Sequence, residues 1–379
     1  MENEFYEAFM KRSRSIFWKA ALGAALFSLL PATGFAADVP SVTVVGTLTA
    51  PLRAPGKMAL DSKRVLYVAD TQNRGIVKFD TRGGYLALLP IPGVVRSVAC
   101  TADDRIVVSH DSSVSLYTTS GTWLGALSGY SFLFPNGIAT DPAGNFYVAD
   151  SKANKVAVFD RSGAFVSAFG VKGNGAGEFN YPTALAWEGA SGQLAVADTL
   201  NNRVQFFDTA GAFKRSVGTP SKLSGPLKFT YPQGIAFDYQ GGVRMYVADA
   251  FQSSVQVVDL GTLPRFLSYI GAYGLAAGEL QRPSDVLYDA ATAELLVCDS
   301  TGKINIYGIS AAAAAGSTGG TGSAVGQPAA GSTDPAVTGA GGGDGSGPVT
   351  ATSPGNPGWQ YPAGVDCRHA RAGSMVCRD

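Results

Sequence analysis

Tyr67-Val68-Ala69-Asp70 is the first of a series of similar tetrapeptides that recur along this chain of 379 residues. Clear copies follow at residues 147–150, 195–198, 246–249 and 296–299, and a degraded copy, Val-Val-Ser-His, lies at 107–110. The copies end at residues 70, 110, 150, 198, 249 and 299, so they are 40, 40, 48, 51 and 50 residues apart. A period of this length built from short β segments is typical of a propeller or a related repeat array.

Each repeat has the same internal order of short segments. An apolar stretch such as Gly137-Ile138-Ala139 is followed by a turn, the tetrapeptide, an alternating strand such as residues 156–159 and an outer strand such as residues 165–169. Short alternating runs between Gly, Asp, Asn and Pro turns predict antiparallel strands, and four of them make one blade. A proline opens five repeats, at Pro55, Pro135, Pro182, Pro232 and Pro283.

The two ends of the repeat array are complementary. The sixth repeat stops after its third strand, residues 304–307, and a strand-like segment, residues 42–45, stands alone before the first repeat. Pairing of that segment with the last repeat closes the ring and removes two exposed sheet edges. We therefore predict an all-β, six-bladed β-propeller of four-stranded antiparallel blades, in which the N-terminal strand completes the last blade.

These motifs resemble the NHL repeat. The pattern Pro-x-Gly-Ile-Ala, Tyr-Val-Ala-Asp, Asn-Arg-Val, Phe-Asp and Gly is best preserved in residues 134–170 and 181–218, and the glycine-rich connector 170–179 looks like the linker between NHL repeats. The resemblance covers residues 41–308 and implies a secreted bacterial member of this propeller family. It also implies an interaction platform, since NHL propellers include extracellular sensor domains of bacterial kinases. Some related six-bladed propellers are instead hydrolases or lyases with a bound cation in the axial pocket.

The charge balance bears on the kind of partner. The chain has 29 basic and 29 acidic residues, and only 15% of its residues are charged. Because no basic excess is available to neutralise phosphates, we predict no nucleic-acid partner. Animal cytoplasmic relatives of the NHL family bind RNA through basic rims, and the neutral charge here does not match them.

Residues 1–36 have the pattern of a secretory signal peptide. Three basic side chains between residues 11 and 14 precede an apolar run, residues 20–30, and a small-residue cleavage site, Gly34-Phe35-Ala36. The apolar run is too short to span a bilayer. We therefore predict an exported protein, periplasmic or extracellular, with no transmembrane segment in the mature chain. An N-terminal membrane anchor is the alternative.

The composition changes after the predicted propeller, residues 37–310. Residues 311–357 are Gly, Ala, Ser, Thr and Pro with almost no charge, which predicts a disordered linker. Residues 358–379 form a short segment with Cys367 and Cys377, and an oxidising compartment permits a disulfide between them. This tail is either a tether or docking tag, or a poorly ordered end with a local loop disulfide.

Two sets of acidic residues recur once per repeat. The aspartates that end the tetrapeptides are predicted to cap the next turn, because a catalytic centre would need such a residue only once. The acids that end the apolar stretches are the places where the cation-dependent enzyme hypothesis expects convergence on the axis. The first set is Asp70, Asp150, Asp198, Asp249 and Asp299, and the second is Asp61, Asp141, Glu188, Asp238 and Asp289.

Polar and cationic residues follow the tetrapeptides and lie on one rim if the blades are equivalent. We predict that this rim binds an acidic or polar partner, and the alternative is that Arg or Lys pairs with an acid of a neighbouring blade or is solvated. The candidate residues are Asn73, Arg74, Asn154, Lys155, Asn202 and Arg203, with His110 at the degraded copy.

The histidines and the remaining cysteines do not suggest catalysis. His110 and His369 are too few for the histidine-rich zinc set of propeller lyases. Ser109, His110 and Asp111 cannot form a triad, because neighbours in a strand point to opposite faces. Cys100 and Cys298 are predicted to be buried free thiols. We predict no catalytic residue, no side-chain metal site and no cofactor, although backbone carbonyls could hold Ca²⁺ on the axis.

The sequence therefore predicts an exported, monomeric, non-enzymatic binding scaffold. We expect it to engage a protein partner, or another ligand of the cell envelope or extracellular space, through one rim. The alternative function is a cation-assisted hydrolase or lyase that uses the axial pocket.

Overall fold

The computed structural model describes residues 39–219, 224–310, 366–369 and 375–378. Residues 41–310 within this part form six sheets of four antiparallel strands, which confirms the predicted six-bladed propeller. No helix in the described ranges is both long and apolar enough to cross a membrane. The predicted signal peptide, residues 1–36, and the predicted linker, residues 311–357, lie outside the described residues.

The first three blades each consist of four consecutive strands. Blade 1 contains β2 (Pro55–Leu60), β3 (Leu66–Asp70), β4 (Gly75–Phe79) and β5 (Tyr85–Pro90). Blade 2 contains β6 (Val95–Cys100), β7 (Arg105–His110), β8 (Ser113–Thr118) and β9 (Trp123–Ala126). Blade 3 contains β10 (Pro135–Thr140), β11 (Phe146–Asp150), β12 (Lys155–Phe159) and β13 (Phe165–Phe169).

The next two blades repeat this order, and the sixth takes its outer strand from the start of the propeller. Blade 4 contains β14 (Pro182–Glu188), β15 (Gln193–Asp198), β16 (Arg203–Phe207) and β17 (Phe213–Val217), with a 3₁₀ turn at Thr199–Asn201. Blade 5 contains β18 (Pro232–Asp238), β19 (Arg244–Asp249), β20 (Ser254–Asp259) and β21 (Arg265–Ile270). Blade 6 contains β22 (Pro283–Asp289), β23 (Glu294–Asp299), β24 (Lys303–Ser310) and β1 (Ser41–Leu48).

The ring closes through the predicted N-terminal strand. β1 pairs with β24 in antiparallel register, with Val42 opposite Ile309 and Val44 opposite Tyr307. The first strands of successive blades contact each other around the axis, and β22 of blade 6 contacts β2 of blade 1. This pairing covers the edge of β24 that would otherwise be exposed.

The tetrapeptide strands are buried because a blade packs against a neighbour on each face. Val68, Val148 and Val247 have 0% exposure. Aromatic residues of the connectors fill the joints between blades: Phe179 packs with residues of blades 3 and 4, and Phe229 with residues of blades 4 and 5. Connector aromatics therefore fill the joints between blades at these positions.

The aspartate that ends each tetrapeptide caps the backbone around it. Asp70 accepts hydrogen bonds from the N–H groups of Arg53 and Ala54, at 2.7 and 3.1 Å, and from that of Asn73 at 3.0 Å. The equivalent aspartates accept N–H bonds from their own connectors, and all five have 0% exposure. Buried N–H groups need such acceptors, so the predicted capping role is confirmed.

Hydroxyl groups next to these caps link neighbouring blades. Thr71 Oγ1 donates to the carbonyl of Val95 at 2.9 Å, and Thr199 Oγ1 donates to that of Pro232 at 2.8 Å. Across the ring closure, Ser284 Oγ donates to the carbonyl of Pro55 at 3.2 Å. The inner strands are therefore joined by side-chain bonds as well as by apolar packing.

The cysteines fall into two groups. Cys100 and Cys298 are free, as predicted, and burial raises the pKa of both thiols. Cys298 is fully buried, whereas Cys100 is half-buried. In the C-terminal segment, β25 (Asp366–His369) pairs with β26 (Met375–Arg378) and places Cys367 directly opposite Cys377 in the backbone register. The disulfide between them stays a prediction.

Candidate functional site

The propeller presents two different faces. The opener face carries the starts of the inner strands, the turns between second and third strands and the connectors between blades. The turn face carries the turns between first and second strands and between third and fourth strands. The strand register of blade 3 shows this division. Pro135 at the start of the first strand pairs with Asp150 at the end of the second, and Asp150 pairs with Lys155 at the start of the third, so all three lie on the opener face. The predicted rim residues belong to the opener face.

The three predicted asparagines hold the turns of this face. Asn73 Nδ2 donates to the carbonyl of Pro51 at 2.8 Å, and Asn154 Oδ1 accepts the N–H of Tyr181 at 2.9 Å. With its amide nitrogen facing the carbonyls, Asn202 donates to Thr199 and Thr230 at 3.2 and 2.9 Å. The amides of Asn154 and Asn202 fasten their turns to the connector that follows, and the amide of Asn73 fastens its turn to the segment that precedes blade 1.

The charged rim residues divide into exposed and buried ones. Arg74 and Lys155 are exposed. Arg203 is 8% exposed, and its guanidinium donates to Asp198 Oδ2 at 2.8 Å and to the carbonyl of Gly175 at 2.7 Å. Arg203 is therefore not available to a partner in this structure, because its donors complete the buried cap of blade 4.

His110 lies half-buried at the end of β7. Its Nε2 is 2.9 Å from Ser115 Oγ. Burial lowers the pKa of the imidazole, and the charge of Asp111 opposes this effect. The ring is therefore neutral at neutral pH, and it contributes a polar group to the opener face rather than a charge.

A cluster on this face was missed in the sequence. The Arg96 guanidinium lies over the Phe134 ring at 4.1 Å from its centroid, and Lys152 Nζ lies 5.1 Å from the same centroid. The Tyr181 ring is 6.1 Å from that of Phe134. We call these four residues the Arg96–Phe134 cluster. The signal that could have revealed it is the second repeat, where Val95-Arg96 replaces the proline opener.

A cavity of about 300 Å³ lies on the propeller axis. Residues from the first strands of all six blades line it. The third residues of these strands are buried, whereas the sixth, such as Trp187, Phe237 and Tyr288, are half-buried and Tyr239 is 49% exposed. The cavity therefore becomes more exposed toward the turn face.

A buried ion pair forms the inner end of this cavity. Lys57 Nζ lies 3.4 Å from Asp285 Oδ1 and also donates to the carbonyls of Ser284, at 3.1 Å, and of Gln233. Asp285 Oδ2 accepts the N–H of Met58 at 2.9 Å. Burial raises the pKa of Asp285, and the charge of Lys57 opposes this shift. The pair ties blade 1 to blades 5 and 6.

The ion pair was also missed in the sequence, although a signal was present. The third residue of the first strand is glycine in the best openers, as in Gly137 and Gly234. A Cβ at Gly137 would lie 2.7 Å from the backbone of the next blade, which explains the glycine. Lys57 and Asp285 occupy this position in blades 1 and 6. A charged residue where the other blades need glycine is therefore the sequence signal for a buried ion pair near the axis.

The acids that end the inner strands do not converge on the axis. Asp61 accepts the N–H of Val65 at 2.8 Å and the hydroxyl of Tyr67 at 3.0 Å, and Asp141 accepts the hydroxyl of Tyr147 at 3.2 Å. None of the five acids is among the described residues that line the cavity. They cap the turns between first and second strands, because those turns leave N–H groups without strand partners.

A divalent cation does not fit the axial cavity. Asp285 is the single carboxylate among the described residues that line it, and Lys57 already neutralises that group. In the described ranges no three His, Cys, Asp or Glu residues are grouped so that they could hold a metal ion. A second cation beside the Lys57 ammonium would be repelled in a medium of low dielectric constant. The donor set therefore disagrees with that of a cation-dependent propeller enzyme.

Solved structures share this fold at low sequence identity. A protein of unknown function from Bacteroides thetaiotaomicron has a TM-score of 0.55 and 13% identity, over 72% of this chain and 73% of that one. An auxiliary nutrient binding protein from the same species has a TM-score of 0.55 and 14% identity, over 68% and 69%. Virginiamycin B lyase from Staphylococcus aureus has a TM-score of 0.51 and 12% identity, over 71% and 99%. These likenesses show the fold alone.

Sequence comparison gives the family. No curated protein matches the chain. The family model described as SMP-30/Gluconolactonase/LRE-like region matches residues 53–261, from just before β2 to just beyond β20 and more than half of the chain. The NHL assignment stays a resemblance of motifs. The chain therefore belongs to the SMP-30/gluconolactonase/LRE-like family of six-bladed β-propellers.

Proposed function

We propose that this propeller is a non-enzymatic binding protein that holds an acidic protein partner on its opener face. The observation that carries the proposal is the Arg96–Phe134 cluster, in which a half-buried aromatic ring is flanked by two cations. Arginine and aromatic side chains are the residue types that dominate binding energy at protein interfaces. The cluster offers an apolar anchor and charge at the same place.

The charge of the opener face favours an acidic partner. Asp111 is the one exposed carboxylate among the described connectors and turns of this face. Glu178 and Glu279 are half-buried and cap the N–H groups of Gly175 and Ala276. Among the described residues of this face, the exposed cations are Arg53, Arg74, Lys152, Lys155 and Lys172. Complementary charge at such a surface speeds association and selects partners.

We propose export as part of this function, on the basis of the signal-peptide pattern in residues 1–36. An exported partner would belong to the cell envelope or the extracellular space. The balance of 29 basic and 29 acidic residues argues against nucleic acid as the partner. The catalytic alternative is not proposed, because the axial donors do not fit the cation that it requires.

The test is a quantitative pull-down from the native envelope with the full chain. Phe134→Ala and Arg96→Ser should each weaken retention of the specific partner by roughly tenfold or more, since truncation of a hot-spot residue costs about 2 kcal/mol or more. Trp123→Ala is the matched control, because Trp123 is 62% exposed on the outer strand of blade 2, away from the opener face.

The identity of the captured species decides the outcome. An acidic protein that the two cluster variants lose and the control variant keeps, with release by salt, supports the proposal. Retention that is unchanged in both cluster variants would overturn it. Loss of binding after nuclease treatment would show a nucleic-acid partner and would also overturn it.

A further inference from the structure

We propose that the outer strands of blades 1 to 3 bind the surface of a lipid bilayer. The residues concerned are the aromatic and aliphatic pair that begins each of these strands. They are Tyr85 and Leu86, Trp123 and Leu124, and Phe165 and Val166, which we call the outer-strand arc. The inference does not depend on the partner of the opener face, because these strands begin at the periphery beside the turn face.

The outer-strand arc is exposed and apolar. Trp123 is 62% exposed and Val166 is 59% exposed, and the least exposed member, Phe165, is 36% exposed. The outer strands of blades 1 to 3 contain no charged residue, and neither does the whole stretch of residues 112–140. Single apolar residues are normal on a protein surface, whereas a row of them in consecutive blades indicates an interaction site.

The second residue of each pair is the extra residue of a β-bulge. In blade 2, Trp123 and Gly125 have partners on the third strand, and Leu124 between them has none. The same register shift leaves Leu86 in blade 1 and Val166 in blade 3 without an opposite residue. A bulge removes its extra residue from the regular ladder and redirects its side chain. The backbone therefore fixes where these aliphatic side chains emerge.

Blade 4 shows the usual protection of this position. Its bulge residue is the exposed Lys214, and Arg215 follows it. Charged side chains, above all lysine, keep the edge strand of a sheet from associating with another chain. Because the fold accepts a lysine at this position, the aliphatic residues of blades 1 to 3 are not required for packing. Their exposure indicates that another surface covers the arc.

The shape and composition of the arc favour a bilayer as that surface. The three pairs lie on the outermost strands of three successive blades, so they form a convex row of separate protrusions. A protein interface requires close-packed complementary surfaces, whereas lipid headgroups and acyl chains adapt to separate protrusions. Tryptophan and tyrosine are enriched where membrane meets water. Apolar side chains beside them can enter the headgroup–acyl boundary, as those of amphipathic helices do.

The charges beside the arc suit a bilayer with phosphate headgroups. Arg82 and Arg161, in the turns that lead into two of these strands, are exposed. The carboxylates of the same turns, Asp80 and Asp160, are only partly exposed and accept backbone N–H bonds. Because the arc itself is uncharged, burial of apolar surface should dominate its binding, and screening by salt should have little effect. The opener face, which attracts its partner by charge, should respond to salt strongly.

The test is flotation with vesicles of pure phosphatidylcholine and of an equimolar mixture with phosphatidylglycerol. The protein is the predicted exported form, residues 37–379, because residues 20–30 are apolar and the first propeller strand begins only at Ser41. We expect flotation with both kinds of vesicle, and a change of less than about twofold in about 0.5 M salt. Brominated phosphatidylcholine should quench tryptophan fluorescence, and Trp123→Phe should remove most of this quenching while flotation persists.

Lysine at the bulge positions is the sharpest variant, because blade 4 already carries it there. The double variant Leu124→Lys/Val166→Lys should lower the partition into vesicles at least about tenfold, since two aliphatic side chains no longer leave water. Lys214→Leu extends the arc into blade 4 and should raise the partition. Thr262→Lys is the matched control, because it adds the same charge at an exposed position of blade 5, on the opposite side of the ring.

The outcomes separate a bilayer from the other surfaces that could cover the arc. Loss of flotation in the folded double variant, with normal flotation of Thr262→Lys and normal capture of the opener-face partner, supports the proposal. No flotation of the wild type, unchanged flotation of the double variant, or release by salt would refute it. A dimer in sedimentation equilibrium without lipid, which the double variant converts to a monomer, would assign the arc to a second copy and would refute it as well.

Discussion

Two sets of aspartates, one on each face of the propeller, have the same task in different environments. On the opener face, the aspartates that end the tetrapeptides accept backbone N–H bonds and are fully buried. On the turn face, Asp80, Asp160 and Asp208 accept backbone N–H bonds in the turns between third and fourth strands, but they are partly exposed. The comparison separates the effect of hydrogen bonding from that of burial.

The pKa values of Asp198 and Asp249 move in the opposite direction from those of Asp80, Asp160 and Asp208. Backbone and side-chain hydrogen bonds lower the pKa values of Asp80 and Asp160, and the bond from Lys214 is the largest cause of the lowered pKa of Asp208. Burial raises the pKa values of Asp198 and Asp249 in spite of their hydrogen bonds. Desolvation therefore outweighs several good acceptors once the carboxylate is removed from water.

The axial Asp285 extends the comparison to a buried carboxylate with a cation beside it, and here we expect the largest effect. Asp285→Ala leaves the Lys57 ammonium buried without its counterion and should lower the free energy of unfolding by about 3–5 kcal/mol. The double variant Lys57→Met/Asp285→Ala removes both charges and should regain most of this loss, because the net value of a buried pair is small. Urea denaturation at neutral pH measures both.

The double variant separates the effect of the unpaired Lys57 charge from that of the lost side-chain volume. If it were as unstable as Asp285→Ala alone, the loss would come from the missing side-chain volume and not from the orphaned charge. The comparison of a buried aspartate with and without a cation would then have to be abandoned.

A capping aspartate of the opener face should give the next largest effect. Asp249→Ala removes the acceptor for the N–H groups of Thr230 and Tyr231, at 2.7 and 3.0 Å, and should cost about 3 kcal/mol of unfolding free energy. The matched turn-face variant, Asp160→Ala, should be clearly milder, since water can bond the freed N–H groups. Equal losses in the two variants, measured by urea denaturation, would show that burial does not distinguish the faces.

The repeated elements of this molecule could be predicted from the sequence, whereas its singular ones could not. The tetrapeptides, the capping aspartates and the closure by residues 42–45 follow from a period and from the need to pair every edge. Lys57 and Asp285 are 228 residues apart and meet only because the ring closes. Arg96 lies in blade 2 and Phe134 in the connector before blade 3, and which side chain reaches the neighbouring segment depends on packing that no local pattern records.

The same reasoning explains the limits of the predicted rim. The sequence shows that Asn73, Asn154 and Asn202 follow the tetrapeptides, but only the structure shows that their amides bond to neighbouring segments. Arg203 follows an asparagine as Arg74 does, but it begins a strand opposite Asp198, at the position that Gly75 occupies opposite Asp70, whereas Arg74 lies in the turn with a φ of 53°. The connector 170–181 supplies carbonyl partners for Arg203. Exposure is a property of the assembled ring.

The pH dependence of stability should give the smallest and most specific effect, opposite in sign for the two faces. Because its pKa is lowered in the folded state, Asp160 stabilises the protein at pH values above the ordinary pKa of an aspartate. This contribution is lost as the pH falls through the pKa of Asp160 in the folded state. A raised pKa means that the folded state binds the Asp249 proton more tightly than the unfolded chain does. Stability should therefore fall as the pH rises through that window.

The measurement is the free energy of unfolding as a function of pH for the wild type, Asp160→Asn and Asp249→Asn. The advantage of the wild type over Asp160→Asn should shrink as the solution becomes more acidic. As the pH rises above the ordinary pKa range of an aspartate, the free energy of unfolding of the wild type should fall relative to that of Asp249→Asn. Two difference curves with slopes of the same sign would mean that burial does not control the charge state of the opener-face caps, and that hydrogen bonding governs both faces alike.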